Sequence, residues 1–352
     1  MRLTLVDCFP VLLLVLFAAG VRPVRPLCAY NDAALSLQTG SVLRGLFALV
    51  VILHHLSLKI SDGTLFHAMR YTGHLAVGVF FFLSGYGVMR AMRTRDAYEV
   101  RFLRRRARKL ALPYAIVTIL YWTFCLLDAH TFSFKASLAA LRAHLIVPYT
   151  WYIFCISLFY IVFWILMRLC RKKDAWMLLG AVLWCVVYSA VCIRMQSGPW
   201  RFKTVLLLAV GMAWAAYEAR ITAFLRKRYF LLAPCTVLLF GISFYLYMLD
   251  VYHPGSKLWT SLPAALFSAL FFVLGILMLD FKCRLQNPVL RFLGENSLEI
   301  YLVQGLFIEG LRSNLLYVQN DFLWVLLSLF GSVALGCALH AVSKTVFKHI
   351  KL

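Results

Sequence analysis

The chain has 352 residues, of which 63% are hydrophobic and only 14% charged, and its mean hydropathy is +0.82. Soluble domains are about half apolar and a quarter charged, so a soluble globular protein is excluded. A formal charge of +22, from 36 Lys and Arg against 14 Asp and Glu, would point to nucleic acid in a soluble chain. In a chain this apolar it reads as membrane topology, and no nucleic-acid partner is expected.

The first apolar stretch, Leu3 to Gly20, looks like a signal peptide's core and is followed by Arg22, Pro23, Arg25 and Pro26. It reads either as an extra, uncleaved helix entering from outside with its arginines inside, or as sequence from a start codon placed too early. Residues 1–40 are therefore set apart from a membrane domain over 41–352. Ten further apolar stretches follow, near 42–58, 74–92, 108–127, 149–169, 175–193, 203–219, 229–249, 261–280, 297–312 and 322–343. The expected fold is all-α and polytopic: a ten-helix core, surrounded by membrane lipid, with or without the N-terminal helix. No internal repeat or linker rich in Gly, Ser or Pro divides the core. The ten cysteines lie mostly within apolar stretches, with no Cys-x-x-Cys pair and no Cys/His cluster, so neither a metal nor a disulfide framework is expected.

Basic residues set the orientation. The connection from Arg90 to Lys109 and the alternate connections after it carry twenty-three Lys and Arg, and the intervening connections carry nine. By the positive-inside rule, the Arg-rich loop and the C-terminus are cytoplasmic in a multi-pass cell-membrane protein.

The first core helix reads LRGLFALVVILHHLSL from Leu43 to Leu58. Arg44 and His55 are eleven residues apart, three turns plus about 20°, so they share a helix face about 16 Å apart along the axis. His54 points about 80° away. An intramembrane cation and imidazole on one face are a functional-site candidate; the competing reading is a snorkelling Arg44 with both histidines at the outer interface. The next helix carries Gly78, Ser84, Gly85 and Gly87, small residues that let a neighbouring backbone approach. After it, Arg101, Arg104, Arg105, Arg106, Arg108 and Lys109 precede Pro113. That cluster suits a phosphorylated ligand, and it equally suits topology or anionic lipid.

Together these residues are similar to the acyltransferase 3 family. The resemblance rests on Arg44 with ten residues before His55, FFFLSGYG at 80–87, the basic run before Pro113, Trp151-Tyr152 opening the fourth helix, and LGENSLEIYL at 293–302. It covers the chain from about residue 40 onward. It implies a membrane O-acyltransferase, in the usual case an O-acetyltransferase, taking the acyl group from acetyl-CoA or another acyl-CoA. The implied acceptor is a hydroxyl of a cell-envelope glycan or glycolipid on the outer side.

Residue by residue, the resemblance makes His55, Arg44 and Ser84 the catalytic set, with His54 a bystander. Arg44, Arg101, Arg104, Arg105, Arg106 and Lys109 are implied to hold the donor. Ser84 and Tyr86 are the oxyanion-donor candidates. Gln304 departs from the pattern, standing where many members carry a histidine. Tyr71, His74, Trp151 and Tyr152, with Tyr149, Tyr252, His253 and Trp259, fall at outer helix ends, where rings could stack on a sugar or simply form the aromatic belt.

The competing class is a transporter whose path is lined by Arg44, His55 and the glycines. Against it, the ten helices show no two halves with matching interruptions. A sensor or scaffold would leave the Arg44–His55 geometry without a use.

Overall fold

The computed structural model describes residues 3–26, 29–129, 135, 147–170, 173–252 and 258–349; His253 lies outside them. In chain order the elements are α1 (Cys8–Ala19), β1 (Val21–Pro23), α2 (Leu37–Ser57), α3 (Thr64–Ala68), α4 (Gly73–Thr94), α5 (Phe102–Ala129), α6 (Trp151–Leu169) and α7 (Asp174–Arg194). They continue with α8 (Leu207–Lys227), α9 (Tyr229–Tyr252), α10 (Leu258–Lys282), β2 (Cys283–Leu285), α11 (Pro288–Glu295), α12 (Ser297–Gly310) and α13 (Asp321–His349).

All ten expected stretches are helical. Eight of them, α2, α4, α5, α6, α7, α9, α10 and α13, are long and apolar enough to span a membrane. The other two fall short for visible reasons. α8 runs on into charged residues past a break in helical geometry at Tyr217 (φ −119°, ψ 24°), and α12 is only 14 residues long.

α2 and α4 are the centre of the bundle. Two thirds of the apolar window of each is buried, against 11% for the peripheral α5 and α9, which are the more apolar pair: in lipid the most apolar helices can face outward, and those carrying ionisable and small residues take the interior. Ser36 caps α2 by accepting from the Thr39 amide at 3.1 Å. Without a hydrophobic drive between helices in lipid, close packing has to hold them, and glycine supplies it at two crossings. A Cβ at Gly45 of α2 would lie 1.9 Å from the Leu290 carbonyl oxygen of α11, and one at Gly85 of α4 would lie 1.9 Å from that of Leu208 in α8. Gly87 faces open space, so only part of that small-residue run serves packing.

The N-terminal helix is present and joined to the core. The Asp7 carboxylate accepts from the Phe66 amide at 2.8 Å at one end, and β1 pairs antiparallel with β2 at the other, with Arg22 opposite Arg284. α1 therefore runs opposite to α2. The end of the bundle holding Arg90, Arg101–Lys109 and the β1–β2 pair is called the arginine end below; that holding His54, His55 and His74 is the histidine end.

Candidate active site

α2 carries Arg44 near the arginine end and His55 near the histidine end. His55 Nδ1 lies 3.1 Å from Gln304 Oε1 on α12, and Gln304 Nε2 donates to the Tyr301 carbonyl at 3.0 Å. The second bond fixes the amide, because only its nitrogen can donate to a carbonyl. Its oxygen therefore faces His55, and Nδ1 must carry the proton. In the neutral ring Nε2 then keeps a free lone pair, the form that a base or nucleophile requires.

Gln304 is fully buried. Tyr149 covers the imidazole, with ring centroids 4.3 Å apart. Its backbone sits in the left-handed region (φ 66°), uncommon for a bulky residue and held only where the surroundings enforce it. Tyr301 donates to its carbonyl, its own hydroxyl donates to Glu309, and Lys59 reaches both Glu309 oxygens at 2.7 Å. Burial, and then the hydrogen bond to Glu309, hold the Tyr149 phenol above its usual 10.

His54 turns the other way. It bonds the Met69 carbonyl through Nδ1 at 3.2 Å and packs on Gly73, where a Cβ would lie 2.4 Å from Nε2. His74, on α4, bonds Ser268 at 2.8 Å, and its ring lies 3.9 Å from that of Tyr247.

The arginine end gathers the cations. Arg44 donates to Ser41 at 3.1 Å and lies within electrostatic reach of Tyr152 and Tyr160. Lys109 is within reach of Arg106, Arg44 and Glu299. Arg106 donates to the Tyr98 hydroxyl at 3.2 Å, with the Phe102 and Tyr160 rings at 5.5 and 4.7 Å. Arg105 bonds the Tyr98 carbonyl at 3.0 Å, while Arg101, Arg104 and Arg105 stay exposed. Glu299 is buried; one oxygen lies 3.0 Å from His340 Nδ1, and the other has no hydrogen-bond partner among the described residues.

Several expected site residues lie elsewhere. Ser84 is eleven residues beyond Gly73 on α4, so it lies about 16 Å from the His54 level, towards the arginine end. There it pairs with the Tyr152 hydroxyl at 3.0 Å. It cannot act as an oxyanion donor beside His55. Tyr86 faces α8, donating to Glu218 at 2.8 Å and accepting from Arg90. The four residues expected on an outer rim are packed inside instead. Tyr152 also donates to the Phe80 carbonyl at 3.3 Å, Trp151 lies against Phe81, Tyr71 is buried, and His74 faces Ser268. Buried polar tips need such partners, and these rings find them within the bundle.

A cavity of about 510 Å³ lies between α5 and α6, from Arg106 and Tyr160 at one end to Tyr114 and Thr150 at the other. A second, of about 940 Å³ at the arginine end, is lined by Arg90, Arg93, Asp174, Glu218 and Arg220 among others.

The arrangement thus sets a cation, Arg44, and an oriented imidazole, His55, on one helix, α2. Sequence reasoning named Gln304 only as a departure from the family pattern and Tyr149 only as an outer ring, and it gave Glu299 no place in the site; a polar residue in an apolar stretch was the available signal for Gln304 and Glu299. A family model described as an acyltransferase domain matches residues 41–341. No curated protein and no solved structure matches the chain.

Proposed function

Because the chain belongs to the acyltransferase 3 family of membrane acyltransferases, we propose that it transfers an acyl group, acetyl in the simplest case, from a cytoplasmic acyl-CoA to a hydroxyl of a cell-envelope glycan or glycolipid outside. The arginine end is the cytoplasmic one, as the distribution of basic residues favours. The exposed guanidinium groups of Arg101, Arg104 and Arg105, with Arg106 and Lys109, suit the CoA phosphates, which guanidinium forks grip bidentately. Arg44 stands by the thioester arm as it enters between α2, α4 and α5. The Tyr152, Tyr301 and Tyr149 groups on the way to His55 offer partners to the arm's amides.

At His55 the acceptor hydroxyl gives its proton to Nε2 while its oxygen attacks the thioester carbonyl. The C–S bond breaks, and the departing thiolate takes up the proton as free CoA. The same lone pair serves if His55 first takes the acyl group as an acyl-imidazole, which the hydroxyl then attacks.

The observation that supports this reading best is the pair of bonds through Gln304, which leaves Nε2 open. The test is purified protein given radiolabelled acetyl-CoA. His55→Ala loses acyl transfer by about 10²- to 10⁴-fold, the usual worth of a general base, and His54→Ala keeps it to within a few-fold. Equal activity in both variants, or equal loss, overturns the assignment.

A further inference from the structure

We propose that Glu309 is a positioning residue for His55: by holding the Tyr149 ring on the imidazole, it fixes the direction in which Nε2 points. This rests on the acyl-transfer reading above and adds a residue to the same site.

α2 and α12 are joined at two levels near the histidine end. His55 meets Gln304 at the first, and just past α2 Lys59 meets both Glu309 oxygens at the second, each at 2.7 Å. Four residues separate His55 from Lys59 and five separate Gln304 from Glu309, so the levels lie about 6–7.5 Å apart. Tyr149 bridges them. Its ring lies on the imidazole, with centroids 4.3 Å apart, and its hydroxyl donates to Glu309.

The Gln304 bond alone leaves the imidazole too loose. A hydrogen bond tolerates misalignment of about 30°, whereas a catalytic group has to be kept within about 10–20°. Nδ1 is the bonded atom, and Nε2, on the far side of the ring, swings unless the ring plane is held as well. A second ring packed on the imidazole face supplies that restraint, provided that Tyr149 is itself immobile. Both of its ends are tied: Tyr301 donates to its carbonyl, and Glu309 takes its hydroxyl. Its left-handed backbone (φ 66°) stays in place only under such ties.

Glu309 therefore acts through Tyr149. It is no base itself, since Lys59 occupies both of its oxygens and the phenol one of them. Nor does its ion pair serve stability: the Lys59 and Glu309 side chains keep 36% and 33% of their surface exposed, and pairs so open add little to folding. The pair keeps an acceptor for the phenol at a fixed place.

The test uses the full chain, purified, with radiolabelled acetyl-CoA and acceptor membranes. Glu309→Leu removes the partner of the phenol and lowers kcat about tenfold, within the loss of about a hundredfold that a misplacement of about 1 Å can bring. The KM for the donor and the Tm stay near wild type. Tyr149→Phe cuts the same link and does the same, and the double variant is no slower than either single one. Glu309→Gln, which still accepts from the phenol, recovers most of the rate. Wild-type kcat in Glu309→Leu, losses that multiply in the double variant, or no recovery in Glu309→Gln overturns the proposal. A second measurement needs no turnover. Solid-state NMR of protein carrying isotope-labelled histidine, with the His55 signals assigned by their loss in His55→Ala, reads which ring nitrogen holds the proton. Wild type shows it on Nδ1 alone, and Glu309→Leu shows both tautomers, because the loosened ring no longer keeps its Gln304 bond. Nδ1 alone in both proteins overturns the proposal and leaves acyl transfer standing. If wild-type protein yields neither ester nor free CoA, the acyl-transfer reading fails, and the NMR still decides whether Glu309 orients His55. Should Glu309→Leu not fold, Tyr149→Phe carries both measurements.

Discussion

Replacing Gln304 by Leu keeps the volume of a fully buried side chain and removes both hydrogen bonds that orient His55, at 3.1 and 3.0 Å. The imidazole then has no acceptor for its Nδ1 proton. Leaving a buried donor unsatisfied costs about 1–3 kcal/mol, and the tautomer with the proton on Nε2, which blocks the reactive lone pair, becomes competitive. At about 1.36 kcal/mol per decade, the rate falls roughly 5- to 150-fold. The KM for the donor holds steady, because Arg44 lies about 16 Å away along α2, at the arginine end that also holds the basic cluster of α5. The assay is initial-rate acyl transfer by purified Gln304→Leu, with thermal melting to show that the protein is folded. Gln304→Glu, which keeps an oxygen opposite Nδ1, recovers more activity than Leu. A folded Gln304→Leu with wild-type kcat, or a Gln304→Glu as inactive as the Leu variant, refutes the reasoning.

Gly45→Ala drives a methyl group into the α11 backbone and costs about 1–3 kcal/mol of stability, read as a lower Tm in detergent, whereas Gly87→Ala, facing open space inside its helix, does not lower the Tm. Arg104→Ala combined with Arg105→Ala raises the KM for acetyl-CoA about tenfold with kcat nearly constant, because a phosphate contact binds ground and transition states alike. In the wild-type protein, KM rises with ionic strength and kcat does not, since exposed charges are screened within about 10 Å at 0.1 M salt; initial rates across a salt series check this.

What could be read from the sequence follows the range of each argument. Apolar runs report single helices, so all ten core stretches were legible, including α8, which is too charged, and α12, which is too short, to count as a spanning helix. Spacing within one helix separates the two histidines: Arg44 lies within reach of Tyr152 and Tyr160 of α6, and His55 meets Tyr149, just before α6, and Gln304 of α12, while His54 turns to Gly73. Relations between helices were out of reach. Gln304 and His55 are 249 residues apart, and no local pattern brings them together. Ser84 looked close to the histidines because the register of α4 against α2 is invisible in a linear chain. Tyr152 and Trp151 were expected at the outer surface because they open a helix, yet this helix begins deep in the bundle, where Ser84 and Phe81 receive them.

The most direct test of the central claim is the sidedness of transfer in proteoliposomes with the arginine end facing inward. Radiolabelled acetyl-CoA is sealed inside and acceptor lipid is accessible only outside. The account predicts labelled ester in the outer leaflet, an equal amount of free CoA retained inside, and neither product with His55→Ala. Ester formed on the same side as the CoA, or transfer that survives His55→Ala, would contradict it.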